Sequence, residues 1–95
     1  MEIRKIIFPT SLDKINEDRD NIDVFVETNL GTYTVTVCTP QFYVDYMDKE
    51  QKDYVPSGGP DIIVRKLTEE IITKAIEHYS EDDGYWLKFY GEVEK

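Results

Sequence analysis

The chain has 95 residues, and its 20 acidic residues against 11 Lys and Arg give a formal net charge of −9. Hydrophobic residues make up 40% of this length, which is enough for one core but not for two, so we expect a single α+β domain over residues 1–95. The charge disfavours nucleic acids and anionic membranes as partners, because both attract clustered Lys and Arg.

The first segment of the chain predicts a strand followed by a polar connection. Glu2 to Phe8 contains four apolar residues and ends at Pro9, which lacks the N–H that a continuing strand would need. Residues 10–21 are polar except for Leu12 and Ile15, a composition that is compatible with a short helix or with a loop.

The next segment predicts a β-hairpin. The runs Ile22–Thr28 and Thr32–Thr39 alternate apolar and polar residues with a period of two, and Asn29-Leu30-Gly31 between them is suited to a turn. One face of this hairpin should enter the core. Its side chains are Ile22, Val24, Val26, Tyr33, Val35 and Val37.

A helix should follow the hairpin directly. Thr39 can cap it by accepting a hydrogen bond from a free backbone N–H, and Pro40 is tolerated at the first helical position. Over Gln41 to Gln51, apolar and aromatic residues recur with helical spacing and form one stripe. The members of this stripe are Phe42, Tyr43, Tyr46 and Met47.

The remaining sequence predicts a loop and three more elements. Two prolines and two glycines mark residues 53–60 as a loop, and Asp61 to Leu67 has the apolar centre of a strand. A second helix should begin after Thr68, with Ile71, Ile72, Ala75, Ile76 and Tyr79 on its apolar side. Tyr85 to Tyr90 is aromatic and predicts a last strand.

These elements define the expected fold. They predict an α+β domain with a mixed, mostly antiparallel sheet of about five strands, in the order β-ββ-α-β-α-β, and two helices packed on one face. The strand–helix–strand unit between Cys38 and Leu67 favours a parallel pairing of its two strands.

The sequence carries few residues with the chemistry of an active site. Cys38 lies next to a predicted helix N-terminus, where the helix dipole favours a thiolate, but nothing brings the single His78 to it as a base. One Cys and one His are too few ligands for a structural zinc site. Ser57 to Pro60 lacks the ending of a phosphate-binding loop. We therefore predict no catalytic residues, no metal site and no cofactor.

Charge and aromatic content instead favour protein binding. Residues 1–48 hold nine acids and four bases, and residues 49–95 hold eleven acids and seven bases, so the acidity is not confined to a tail. An acidic body favours a basic partner, and tyrosines beside carboxylates are typical of protein-binding surfaces. The residues that we expect to contact a partner are Tyr43, Asp45, Tyr46, Asp48, Glu50, Asp53 and Tyr54, with Glu81, Asp82, Asp83 and Trp86 as a second patch.

The string TYTVTVCTPQFYVDYM, Thr32 to Met47, resembles small immunity proteins of bacterial polymorphic-toxin systems of the contact-dependent inhibition type. In that family a strand runs through Val-Cys-Thr-Pro into an aromatic-led helix, and the later order of elements, Ile62 to Tyr90, is similar. This chain departs from the pattern in its shorter first half and in having Phe42-Tyr43 in place of a Trp-Leu-like pair. The family pattern implies no catalytic or metal-binding residue.

The resemblance and the charge together predict a non-enzymatic acidic protein that neutralises a basic toxin, for example a nuclease, by direct contact. Two other classes stay open at this point: a small enzyme or ligand-binding protein that uses Cys38, and an oligomeric structural module whose last strand pairs with another copy. A single cysteine and a short N-terminal apolar run favour the cytoplasm.

Overall fold

The computed structural model describes residues 2–55 and 61–81 of the chain. Within these ranges the protein is α+β and contains a four-stranded mixed sheet and two α-helices. The predicted last strand, Tyr85–Tyr90, lies outside the described residues. The elements are β1 (Ile3–Ile7), a 3-10 helix (Leu12–Lys14), β2 (Asn21–Thr28), β3 (Gly31–Cys38), α1 (Pro40–Glu50), β4 (Ile62–Ile63) and α2 (Glu69–Ser80).

The described strands lie in the sheet in the same order as in the chain, β1-β2-β3-β4. The pairs β1–β2 and β2–β3 are antiparallel, whereas β3 and β4 are parallel, with Val37 opposite Ile62. The predicted parallel pairing on either side of α1 is therefore confirmed. It follows from the connection, because a strand that returns through a helix enters the sheet in its original direction.

The hairpin of β2 and β3 has the predicted core face. Its register places Ile22 opposite Val37, Val24 opposite Val35 and Val26 opposite Tyr33, and all six side chains are buried. Because side chains alternate across a strand, this register brings these six side chains to one side, whereas Phe25, paired with Thr34, lies on the other face. Gly31 starts β3 with φ at 146°, a backbone angle that glycine adopts most easily.

Helix α2 completes the core on that side of the sheet. Ile72 and Ile76, one turn apart, are buried together with the hairpin side chains and Leu67. The helix begins as predicted, with Thr68 Oγ1 accepting a hydrogen bond from the Ile71 N–H at 3.2 Å. Glu69 and Glu70 in its first turn complement the positive end of the helix dipole.

Helix α1 differs from the expectation for a core-packed helix. It begins as predicted at Thr39, whose Oγ1 accepts a hydrogen bond from the Phe42 N–H at 3.3 Å. None of its residues is buried, however, and none belongs to the core, so among the described elements α2 is the helix that packs on the core face. The aromatic side chains of the α1 stripe are only half-buried. Helical spacing predicts that these residues share one face of the helix, but it does not predict what packs against that face.

The strand predicted at Asp61–Leu67 is shorter in the structure, where β4 spans Ile62–Ile63 alone. After β4 the chain turns away from the sheet, and the Leu67 N–H bonds to the Glu17 carbonyl at 2.8 Å. Lys66 Nζ also lies 3.7 Å from the carboxylates of Glu17 and Asp18. The predicted strand is therefore wrong beyond Ile63: the Val64 N–H still bonds to the Cys38 carbonyl of β3 at 2.9 Å, but the Leu67 N–H bonds to the loop before β2.

No helix within the described residues is both long enough and apolar enough to cross a membrane.

We expect the hydroxyl of Thr39, rather than its size, to support the start of α1. Thr39 is completely buried, so replacing its hydroxyl by a methyl group in Thr39→Val leaves the Phe42 N–H without its side-chain acceptor. The free energy of unfolding, measured by urea denaturation, should fall by about 1–2 kcal/mol. Thr39→Ser keeps the hydroxyl and should lose less. Equal losses in the two variants would contradict this role.

Candidate functional site

An open groove with a volume of about 400 Å³ lies between α1 and the end of the loop before β2. It contains three of the predicted partner-binding residues, Asp45, Tyr46 and Glu50. Its other lining residues are Arg19, Asp20, Phe42 and Lys49. The groove therefore combines two aromatic side chains with three carboxylates and two basic groups.

The spacing of residues in α1 explains why they meet at this groove. Phe42, Tyr46 and Glu50 follow one another at intervals of four residues, and Asp45 and Lys49 form a parallel row with the same spacing. Residues four apart lie on the same side of a helix. The groove side of α1 is thus aromatic in its first two turns and charged towards its end.

Arg19 fixes the loop to α1 through a bidentate ion pair. Its Nε lies 2.9 Å from Asp45 Oδ2, and its Nη2 lies 3.1 Å from Asp45 Oδ1. Gln41 Nε2 also donates to Asp45 Oδ1, at 2.9 Å. The hydrogen bond from Arg19, and next that from Gln41, hold the pKa of Asp45 below its ordinary value, and the Asp45 carboxylate raises the pKa of Arg19. Asp45 is therefore committed to a contact inside the chain.

Asp20 forms the opposite wall of the groove and is fixed by backbone contacts. Its Oδ1 accepts the Asn21 N–H at 2.9 Å, and its Oδ2 accepts the Asn16 N–H at 3.3 Å. The carbonyl of Asp20 accepts the Thr39 N–H at 3.3 Å and is 3.5 Å from the Thr39 hydroxyl. Arg19 and Asp20 were not predicted from the sequence, because no local pattern indicates that their loop meets a helix that begins twenty residues later.

The other predicted residues of the first patch do not line the groove. The Tyr43 hydroxyl donates to Asp61 Oδ2 at 2.8 Å, on the side of α1 that faces β4. Asp48 and Asp53 are exposed. Tyr54 is 63% exposed, with Lys52 Nζ at 6.0 Å from its ring centroid. The first patch is thus a groove with additional exposed residues along and beyond α1.

The structure describes one residue of the second predicted patch. Glu81 is exposed at the C-terminal cap of α2, and its N–H bonds to the His78 carbonyl at 3.2 Å. Asp82, Asp83 and Trp86 lie outside the described residues. This patch stays a prediction.

The buried Cys38 lies in a cluster with Tyr43 and Asp61, which are both half-buried. Its thiol donates to Asp61 Oδ2 at 3.6 Å, the same oxygen that accepts the Tyr43 hydroxyl. Burial, the largest cause, raises the pKa of Cys38 to about 11; the hydrogen bond with Tyr43 opposes this rise, and the Asp61 carboxylate adds to it. Burial likewise raises the pKa of Tyr43. The thiol is therefore neutral at pH 7, which weighs against the alternative of a nucleophilic Cys38.

His78 does not supply a base to this thiol in the structure. It is exposed on α2, and its ring lies 5.9 Å from that of Tyr79 in an edge-to-face arrangement. Among residues 2–55 and 61–81 there is no hydrogen bond between His78 and Cys38, and no group of three or more His, Cys, Asp or Glu is placed to hold a metal ion.

The site combines two aromatic and five charged side chains around a groove that is open to solvent. Comparison with family models, curated proteins and solved structures gives no match. The resemblance of residues 32–47 to immunity proteins thus stays a prediction that rests on the sequence.

We expect the Cys38 cluster to make folding stability sensitive to alkaline pH. The folded chain holds the thiol proton with a pKa of about 11, against an ordinary value of 9.0, so this contribution to stability is complete below pH 9.0 and disappears as the pH rises towards 11. Urea unfolding at a series of pH values should show this decline. Cys38→Ala should make it shallower, and the exposed control Tyr54→Phe should leave it unchanged. An identical decline in Cys38→Ala would contradict the assignment.

Proposed function

We propose that the chain is a non-enzymatic binding protein that recognises a basic protein through the groove beside α1 and the exposed carboxylates that follow it. The observation that carries this proposal is the convergence of Phe42 and Tyr46 with Asp20 and Glu50 on one open groove. Rigid aromatic side chains surrounded by charge are the usual composition of binding hot spots.

The charge of the chain supports a basic partner. A net charge of −9 attracts a positively charged protein over several ångströms, which raises the association rate at low ionic strength. The acids near the groove that are exposed, Asp48, Glu50 and Asp53, add to this attraction. Because salt screens such forces, association should slow as ionic strength increases.

We propose, more specifically, that the partner is a toxin, and that this protein is its immunity protein. The resembling segment, residues 32–47, includes Phe42, Asp45 and Tyr46 of the groove, so the pattern and the candidate site coincide on α1. A nuclease toxin fits the charge, because it must be basic to bind nucleic acid. The proposal includes cytoplasmic action and a five-stranded sheet with Tyr85–Tyr90 as its last strand.

The experiment is co-expression with the basic toxin domain encoded by a neighbouring gene, combined with direct binding measurements. The protein should abolish toxicity and bind the domain with an association rate that falls as salt is added. Failure of both binding and protection would overturn the proposed function.

Variants of the groove should weaken this binding selectively. Tyr46→Ala removes an aromatic contact at the groove, and we expect its affinity for the toxin domain to fall by about tenfold or more. Glu77→Gln changes an exposed carboxylate on α2, away from the groove, and is the control. Calorimetric binding, with thermal unfolding of each variant, measures both effects. Equal affinities of Tyr46→Ala and the unchanged protein would exclude the groove as the contact.

A further inference from the structure

Resting on the proposed function, we propose that the groove receives one arginine side chain of the basic partner. Its guanidinium would lie against the rings of Phe42 and Tyr46 and bond to the carboxylates of Asp20 and Glu50. This assignment specifies the chemistry of the contact, beyond the attraction between an acidic and a basic protein.

The two aromatic side chains that line the groove suit a flat cation. Phe42 and Tyr46 are one helical turn apart, are both half-buried and both line the groove. The Phe42 ring also packs edge-to-face with Tyr43, with 5.8 Å between ring centroids, which restricts its movement. A guanidinium stacks on such faces through cation–π attraction, and it is more weakly hydrated than an ammonium group.

Two carboxylates at the groove are available to an incoming donor. Each carboxylate oxygen of Asp20 accepts one backbone N–H, which fixes the group and leaves a second lone pair on each oxygen. Glu50 makes no hydrogen bond or ion pair with another described residue. A bound guanidinium with five N–H donors can satisfy both groups, whereas the three carboxylates of the groove would repel an anion.

The chain itself already binds a guanidinium at this place. Arg19 occupies Asp45 through two hydrogen bonds at 2.9 and 3.1 Å, so one wall of the groove is neutralised by an internal pair. What is left at the groove is Asp20 and Glu50 against Lys49, a net negative charge. A groove of about 400 Å³ lies in the range of pockets that enclose a small group rather than a whole helix.

The positive charge of Lys49 allows the preference of the groove for a cation to be tested. Its ammonium group lines the same groove and repels an incoming cation. Lys49→Gln should therefore tighten arginine binding, whereas Glu50→Gln should weaken it. A site for an anion would show the opposite signs.

The test uses a blocked single residue, N-acetyl-arginine amide, titrated into the full chain and followed by amide chemical shifts. Saturable shifts should concentrate at the backbone amides of residues 19–20 and 42–50. The lysine analogue should bind at least about threefold more weakly, because an ammonium group cannot stack on the rings and donate hydrogen bonds in one plane. Shifts spread over the whole surface, or equal binding of both analogues, would overturn the inference.

Single-charge variants then separate a local contact from general attraction. Glu50→Gln should reduce arginine affinity by about threefold to fivefold, and Lys49→Gln should raise it by a similar factor. Glu77→Gln removes the same charge by the same substitution at an exposed position on α2, outside the groove lining, and is the matched control, with little expected change. Equal losses in Glu50→Gln and Glu77→Gln would refute a specific contact.

Failure of the arginine contact can be told apart from failure of the proposed function. A chain that binds and neutralises the toxin domain but shows no localised arginine shifts refutes the arginine contact alone. A chain that binds the arginine probe in the groove but neither binds nor neutralises the toxin domain refutes the toxin proposal and leaves the contact chemistry in place.

Discussion

The junction at Thr39 determines where the candidate site lies. This buried polar residue directly follows β3, caps α1 through its hydroxyl and donates its N–H to the carbonyl of Asp20. A buried hydroxyl and amide must find partners, so the strand end, the helix start and the loop before β2 are held together by the same few groups. The groove is the space that remains between the loop and the helix once this junction has formed.

The two helices differ in what they contribute to the core and to the groove. Helix α2 supplies Ile72 and Ile76 to a sheet face that the hairpin has already made apolar. Helix α1 contributes nothing fully buried to this core, and its aromatic rings stay half-accessible. Aromatic side chains left at a surface are costly for solubility unless they contact something, and the binding role that we propose would supply such a contact for Phe42 and Tyr46.

The fold was predictable where it depends on local chemistry. Period-two alternation gave the hairpin face, and Thr39 and Thr68 marked both helix starts, because strand faces and helix caps depend on neighbouring residues. The groove was only half predictable. Asp45, Tyr46 and Glu50 were identified on α1, where Phe42 and Lys49 also line the groove, but Arg19 and Asp20 come from a loop whose approach depends on tertiary contacts. For the same reason the sequence overestimated the length of β4.

Asp61 and Arg19 restrain α1 from two directions, one through Tyr43 on the β4 side and one through Asp45 on the groove side. A helix restrained in this way has little freedom left to lose when a partner arrives. The entropic cost of association is consequently reduced in advance, and substitutions that free α1 should act on residence time more than on the rate of encounter. We therefore expect the tyrosine–aspartate contact, remote from the groove, to influence how long the proposed complex lasts.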